Sequence, residues 1–136
     1  MIYALWYYFK DGEKTTNAVS LNPQSLLKLH EEIILNNNNL YHQYKKYISN
    51  IEVETIDCYQ YNEELQRLDP IQNYNQLSNG LFYASQYLTA SNSLTDILVY
   101  LTKNQHKKWR QFTNENYISH NEVKMNKYYE DGIMNA

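Results

Sequence analysis

Residues 2–12 read IYALWYYFKDG, and this opening stretch decides the fold that the sequence predicts. Residues 2–10 are dense in Tyr, Trp and Phe, which favour strands. Asp11-Gly12 is a strong hairpin signal, because these residue types accept the backbone angles of a tight turn. Residues 15–21 can then return as the partner strand. The N-terminus is therefore predicted to form a β-hairpin.

A helix is predicted directly after the hairpin. Asn22-Pro23 places a capping residue before a proline at the first helical position. The apolar residues that follow have helical spacing, namely Leu26, Leu27, Leu29, Ile33 and Ile34. The four asparagines at 36–39 end this helix. Residues 40–48 fit either a short helix or a strand, whereas residues 51–61 alternate and predict a strand that closes a small antiparallel sheet.

The C-terminal half has a different pattern, which predicts helices. Residues 71–88 are expected to form two short helices, with a turn at Asn79-Gly80. Ser93 and Asp96 resemble a capping box at the start of a helix over residues 94–109. A short strand over residues 117–123 and a last helix over residues 124–130 complete the prediction.

These elements predict the α+β class within a single domain of residues 1–136, a length typical of one domain. Residues 1–61 form the strand-rich part, a small antiparallel sheet with a packed helix. Residues 62–136 form the mainly helical part. Because the opening strand is so apolar, a sheet edge at residues 2–8 needs to be covered or paired. A homodimer through that edge is one hypothesis.

The composition excludes several functional classes. Twelve Lys and Arg against fifteen Asp and Glu give a net charge of −3, which does not fit a histone-like basic protein. No apolar run approaches the length of a membrane span, and the first residues lack the basic region of a signal peptide. Cys58 is the one cysteine, so no internal disulfide is expected. We therefore expect a cytoplasmic protein with no membrane partner. Eighteen asparagines beside many Tyr, Ile and Lys indicate a low-GC genome, such as that of a bacterial host.

The residues with catalytic potential do not form a recognisable site. The four histidines, His30, His42, His106 and His120, lack the spacing of a metal site. Cys58 lies beside Asp57 without a basic neighbour, which favours a packed thiol over a nucleophile. No glycine-rich loop is present to hold a phosphate. No catalytic residue, cofactor or metal is predicted, and the chain is expected not to be an enzyme.

A basic and aromatic segment at residues 103–112 is the most specific local feature. It contains Lys103, Lys107, Lys108 and Arg110 with Trp109 and Phe112, and no acid. Such segments hold phosphates by charge and bases by stacking. The alternative is a helix C-terminus whose cations favour the helix dipole. The acidic residues lie earlier, and the candidates for partner binding are Glu52, Glu54, Asp57, Glu63 and Glu64. Carboxylates along a sheet edge can imitate backbone phosphates, although a solvated face explains them too.

Several segments resemble the alleviation-of-restriction (ArdA-type) family of antirestriction proteins. They are residues 2–5 with the turn at 11–13, the helix at 26–35, Ile56-Asp57-Cys58-Tyr59, residues 71–79, and residues 128–132. Members of that family are acidic mimics of bent DNA that plasmids and transposons carry. The resemblance implies a small phage or mobile-element inhibitor that binds a restriction enzyme or a CRISPR effector.

Two functional hypotheses follow from these observations. The first is a protein that inhibits a host defence nuclease or ribonucleoprotein by binding it, with aromatic side chains as anchors. The second is a nucleic-acid-binding accessory protein that uses Lys103, Lys107, Lys108, Trp109 and Arg110. An inhibitor that grips a guide RNA through residues 103–110 combines both.

Overall fold

The computed structural model describes residues 1–77, 80–88, 94–106 and 117–135. The chain divides into two compact units. Unit 1 comprises Met1–Thr55 together with Lys124–Ala136, and unit 2 comprises Ile56–Val123. Unit 1 is therefore built from two segments that are far apart in sequence.

Unit 1 begins with the predicted hairpin, which the structure confirms. Strand β1 (Ile2–Phe9) pairs antiparallel with β2 (Lys14–Ser20). Gly12 has a φ of +90° in the turn, a conformation that glycine adopts without steric cost. The Phe9 N–H donates a hydrogen bond to the Glu13 carbonyl at 2.8 Å and closes the turn.

Helix α1 (Pro23–Leu35) is also confirmed, with Pro23 in its first turn. The Asn22 side chain caps it by accepting a hydrogen bond from the Gln24 N–H at 2.9 Å. Asn36 ends the helix. The ambiguous segment that follows is helical: α2 (Tyr41–Tyr44) continues into a 3₁₀ turn at Lys45–Tyr47.

The third strand of unit 1, β3 (Ile48–Ile56), completes a sheet with the order β2-β1-β3. Strand β1 is therefore the central strand, and the prediction of a sheet edge at residues 2–8 is wrong. Both of its hydrogen-bonding edges are paired, one with β2 and the other with β3. The single strand predicted over residues 51–61 is in fact two strands, separated at Asp57.

The core of unit 1 lies between α1 and one face of this sheet. It contains Leu5, Tyr7, Ala18, Leu26 and Tyr41. The apolar stripe predicted for α1 supplies Leu26, which is fully buried. Burial of such side chains is the main stabilising contribution to a small unit.

Residues 124–135, here called the strap, return to unit 1 after unit 2. The helix predicted over residues 124–130 is absent, and Asn126 has a φ of +60°. The strap is held on β2 by backbone hydrogen bonds from Asn126 N–H to Val19 O at 2.9 Å and from Tyr129 N–H to Asn17 O at 2.8 Å. A 3₁₀ turn at Ile133–Asn135 follows, in which Ile133 is buried.

Unit 2 is a five-stranded sheet. Its strands are β4 (Cys58–Asn62), β5 (Arg67–Pro70), β6 (Gly80–Leu88), β7 (Leu94–Thr102) and β8 (Tyr117–Val123), in the order β5-β4-β7-β6-β8. Strands β4 and β7 are parallel, and the other neighbours are antiparallel. A short 3₁₀ turn at Tyr74–Gln76 precedes β6. One face of the sheet carries a core of Tyr61, Tyr83, Ile97, Val99 and Leu101.

The predicted α+β class with a mainly helical C-terminal half is wrong, because the described part of that half is mostly strand. The predicted strand over residues 117–123 is confirmed as β8. The helices expected over residues 71–88 and 94–109 are replaced mainly by β6 and β7. Residues 97–101 are all buried, since β7 is a central strand with both faces covered. A continuous apolar run of this kind cannot be told from a buried helix by its periodicity. None of the described helices is long and apolar enough to cross a membrane.

Candidate partner-binding surfaces

The five acidic residues predicted to bind a partner fall into two separate sets. Glu52 and Glu54 lie on β3 of unit 1, whereas Asp57, Glu63 and Glu64 belong to unit 2. The structure brings together the members of each pair, Glu52 with Glu54 and Glu63 with Glu64. Asp57 lies between β3 and β4, where its backbone carbonyl accepts a hydrogen bond from the Leu98 N–H at 2.9 Å.

Glu52 and Glu54 form what we call the acidic edge, together with Tyr8 and Asn50. Residues two apart on a strand point to the same face, so the two carboxylates lie side by side on an outer strand of the sheet. The Tyr8 hydroxyl donates a hydrogen bond to Glu54 Oε2 at 2.9 Å. The Asn50 Nδ2 donates to Glu52 Oε1 at 2.8 Å. Both carboxylates are therefore held by neighbouring side chains.

The pKa values at the acidic edge show that its two carboxyl groups interact. Glu54 lies within hydrogen-bonding reach of Glu52 and holds the pKa of the Glu52 carboxyl above its usual range. Hydrogen bonds from Glu52 and then from Tyr8 lower the pKa of Glu54. Burial, followed by the bond to Glu54, raises the pKa of the Tyr8 hydroxyl to about 12. The protonation of one carboxyl group therefore affects that of the other.

The second acidic pair lies in the turn of the β4–β5 hairpin in unit 2. Asn62 shapes this turn, because its Oδ1 accepts from the Leu65 N–H at 3.1 Å and its Nδ2 donates to Asp69 at 3.0 Å. Arg67 forms an ion pair with Asp69 at 2.8 Å. Glu63 and Glu64 line an open groove of about 480 Å³ beside the hairpin.

The basic segment is described only where it begins. Lys103 is exposed, and residues 103–106 are helical directly after β7. Thr102 and Gln105 form a capping box there: the Gln105 N–H donates to Thr102 Oγ1 at 3.2 Å, and the Thr102 N–H donates to Gln105 Oε1 at 3.1 Å. Lys107, Lys108, Trp109 and Arg110 lie outside the described residues.

The capping box predicted from Ser93 and Asp96 is wrong, because Asp96 lies in a strand. Asp96, predicted to cap a helix with Ser93, is part of strand β7, and Ser93 is outside the described residues. The Thr-x-x-Gln pattern at residues 102–105 is the same kind of signal and marks the helical start that the structure shows. No pattern in the sequence indicated that Tyr8 and Asn50 would donate hydrogen bonds to the Glu54 and Glu52 carboxylates.

Cys58 and the four histidines, considered above as a possible nucleophile and as possible metal ligands, lie on different elements of the two units. Cys58 is buried in β4, and burial raises the pKa of its thiol to about 12, which disfavours the reactive thiolate. His106 stacks on Tyr83 with ring centroids 4.3 Å apart. Within the described ranges, no group of three His, Cys, Asp or Glu side chains is placed to hold a metal ion.

The chain matches no protein-family model, and no curated protein and no solved structure matches it either. What these surfaces bind must therefore follow from their own chemistry.

Proposed function

We propose that the protein is a small inhibitor from a phage or another mobile element that binds a defence nuclease in the cytoplasm of its bacterial host. The partner is a restriction enzyme or a CRISPR effector, and inhibition requires binding rather than catalysis. In this proposal the acidic edge occupies the cationic groove in which the nuclease normally holds nucleic acid.

The close contact of the Glu52 and Glu54 carboxylates is the observation that carries the proposal. The hydrogen bond with Glu54, and to a lesser degree the repulsion between the two charges, raises the pKa of Glu52. When both carboxylates are ionised, the two adjacent negative charges repel each other. A cation placed against both groups relieves the repulsion. An arginine guanidinium is well suited to this role, since its planar set of donors matches carboxylate oxygens. Grooves that hold nucleic-acid phosphates are rich in such cations.

The position of the pair also favours binding. Strand β3 is an outer strand, so a partner can approach it without displacing another strand of unit 1. Because Tyr8 and Asn50 already orient the two carboxylates, little side-chain entropy is lost when a partner binds. The resemblance to antirestriction proteins, noted on the sequence, agrees with this mode of action.

The test combines affinity capture with a cleavage assay. Tagged protein is used as bait in a lysate of a low-GC bacterium, with and without nuclease treatment, and captured nucleases are purified and assayed for DNA or RNA cleavage. We expect the protein to inhibit such a nuclease. The double variant Glu52→Gln/Glu54→Gln should weaken inhibition at least tenfold, because it keeps the side-chain size and removes both charges.

A matched control has the same change of charge elsewhere in unit 1. Glu13→Gln/Glu32→Gln alters two exposed carboxylates that lie outside the acidic edge, and it should inhibit like the unaltered protein. Equal inhibition by both double variants would contradict the role of the acidic edge. Full activity of every captured nuclease in the presence of the protein would contradict the function itself.

Nucleic-acid binding through residues 103–112 is the second candidate function. The observation that favours it is the exposed Lys103 at the start of a helical segment that Thr102 and Gln105 fix in place. This hypothesis predicts binding to single-stranded nucleic acid that weakens steeply as salt concentration rises. Lys107→Glu/Lys108→Glu should abolish it, whereas the other adjacent lysine pair provides the control Lys45→Glu/Lys46→Glu. Fluorescence anisotropy at several salt concentrations makes the measurement, and binding that does not depend on salt excludes this function.

A further inference from the structure

A chain of hydroxyl groups crosses the core of unit 1 and ends at a histidine. The Tyr128 hydroxyl donates a hydrogen bond to the Tyr7 oxygen at 3.0 Å. The Tyr7 hydroxyl lies 3.0 Å from His30 Nδ1. Tyr128 belongs to the strap, Tyr7 to the central strand β1, and His30 to helix α1. The chain therefore links three segments that are distant in sequence.

The direction of these hydrogen bonds fixes the protonation state of His30. Because the Tyr7 oxygen already accepts the proton of Tyr128, its own proton is directed to His30 Nδ1. That nitrogen is then an acceptor, and His30 is neutral with its proton on Nε2. Tyr7 is fully buried, so its hydroxyl has no access to water as an alternative partner.

In the described part of unit 1, titratable groups from β1, α1 and α2 lie near His30. Tyr7 comes from β1, and the Tyr41 ring of α2 meets the His30 ring edge-on at 5.5 Å. Glu31 on α1 itself favours the protonated imidazole, but burial outweighs it and lowers the pKa of His30. His42 packs against Tyr41, and its Nε2 lies 3.2 Å from the Ile33 carbonyl.

The strap end of the chain has a further neighbour. The Tyr44 hydroxyl lies within hydrogen-bonding reach of Tyr128 and donates to the Glu130 carbonyl at 3.1 Å. Burial raises the pKa values of Tyr7 and Tyr128, so both remain protonated over the ordinary pH range. His30 is therefore the member of the chain that titrates near neutral pH.

We propose that the chain His30–Tyr7–Tyr128 is a pH-sensitive latch, and that protonation of His30 loosens the strap from unit 1. A proton on Nδ1 turns this acceptor into a donor. The Tyr7 oxygen then faces two donors, His30 and Tyr128, while its own proton has lost its acceptor. Since water cannot reach Tyr7, the conflict is relieved when Tyr128 withdraws, and the strap withdraws with it.

The sign of the pH effect follows from the lowered pKa of His30. When Tyr128 is withdrawn, the Tyr7 oxygen can accept the proton on His30 Nδ1, so the pKa of His30 returns toward its ordinary value of about 6.5. The docked state binds the proton less readily, so docking is fully stable above pH 6.5 and weakens as the pH falls below that value. For a single proton, the equilibrium constant for strap opening rises about tenfold per pH unit until the pKa of the docked state is reached.

Hydrogen exchange of the full-length protein tests this latch. The Asn126 and Tyr129 amides report on the docked strap, because they donate to Val19 and Asn17 of β2. After correction for intrinsic exchange, we expect their protection to fall between pH 7.5 and pH 5.5, by up to about tenfold. Unchanged protection would overturn the proposal. It would show that the hydrogen bonds reverse while the strap stays docked, with Tyr7 donating to Tyr128 and Tyr128 donating to Tyr44.

Two variants separate the latch from a general effect of acid. His30→Asn places an amide oxygen near the position of Nδ1 and cannot titrate, so protection of the strap should no longer depend on pH. His42→Gln removes another imidazole of unit 1 that is not part of the chain, and it should leave the pH dependence intact. A response that persists in His30→Asn would overturn the proposal.

A third variant keeps the test decisive if His30→Asn does not fold. Tyr128→Phe retains the ring and removes the donor that conflicts with a protonated His30, so the strap should lose its pH dependence while its amides remain docked. Full retention of the pH response in Tyr128→Phe would overturn the latch. This inference does not depend on the proposed inhibitory function.

Discussion

At the scale of single residues, Gly80 is a position in unit 2 where the surrounding atoms leave no room for a side chain. A Cβ atom at this position would lie 2.5 Å from Cζ and 2.7 Å from the hydroxyl of Tyr100, and 2.8 Å from the Leu101 carbonyl. Tyr100 is buried and also packs against Phe82, with ring centroids 5.2 Å apart. The absence of a side chain at Gly80 therefore lets the Tyr100 ring lie over the start of β6.

Gly80→Ala is expected to lower the free energy of unfolding by about 1–3 kcal/mol, because the Tyr100 ring must move to admit the methyl group. Urea unfolding measures this loss. The same change in a Tyr100→Leu background should cost less, since part of the obstruction has been removed. Equal losses in the two backgrounds would show that the Leu101 carbonyl, rather than the Tyr100 ring, limits the space.

At the scale of elements, the sequence predicted those parts of the fold whose signals are local. The Asp11-Gly12 turn and the Asn22-Pro23 cap are such signals, and the structure confirms the hairpin and α1. They succeed because the turn geometry and the first helical hydrogen bonds are decided by adjacent residues.

The predictions failed where neighbouring strands decide the structure. Strand β7 has a continuous apolar run because β4 and β6 flank it and both faces are buried. Nothing within residues 97–101 distinguishes such a strand from a helix. The Asn79-Gly80 pair was expected to be a turn between two helices, and Gly80 instead begins β6.

The candidate surfaces were only partly predictable for the same reason. Glu52 and Glu54 could be assigned to one strand face from their spacing, and the structure places them there. Their partners could not be found in this way, because Tyr8 is 46 residues from Glu54 along the chain. Likewise, the contact of Tyr128 with Tyr7 spans 121 residues and has no local signal.

At the scale of the whole molecule, the return of the strap to unit 1 is the decisive feature. The first 55 residues form the sheet and helices, yet the strap that completes the unit follows all of unit 2 in sequence. Bringing such distant segments together costs loop-closure entropy before any contact compensates for it. The hydrogen bonds between β2 and the strap must therefore contribute enough stability to hold this closure.

Asn17 is the residue on which this closure depends most directly. It is 1% exposed, and its Nδ2 donates to the carbonyls of Tyr129 at 2.8 Å and of Glu130 at 3.2 Å. Asn17→Ala removes both bonds. Each carbonyl keeps one other donor, the Gly132 N–H at 3.0 Å for Tyr129 and the Tyr44 hydroxyl at 3.1 Å for Glu130. We expect a loss of about 1–3 kcal/mol in the free energy of unfolding, measured in urea, with strap amides losing protection from exchange first.

The control for this prediction is another asparagine of unit 1 whose side chain is exposed. Asn37→Ala, in the turn after α1, should change the free energy of unfolding by about 0.5 kcal/mol or less. If Asn17→Ala were as mild as this control, the other contacts of the strap, including its backbone bonds and Tyr128, would hold it without the Asn17 amide. A large loss confined to Asn17→Ala would instead show that one buried amide joins the two distant parts of unit 1.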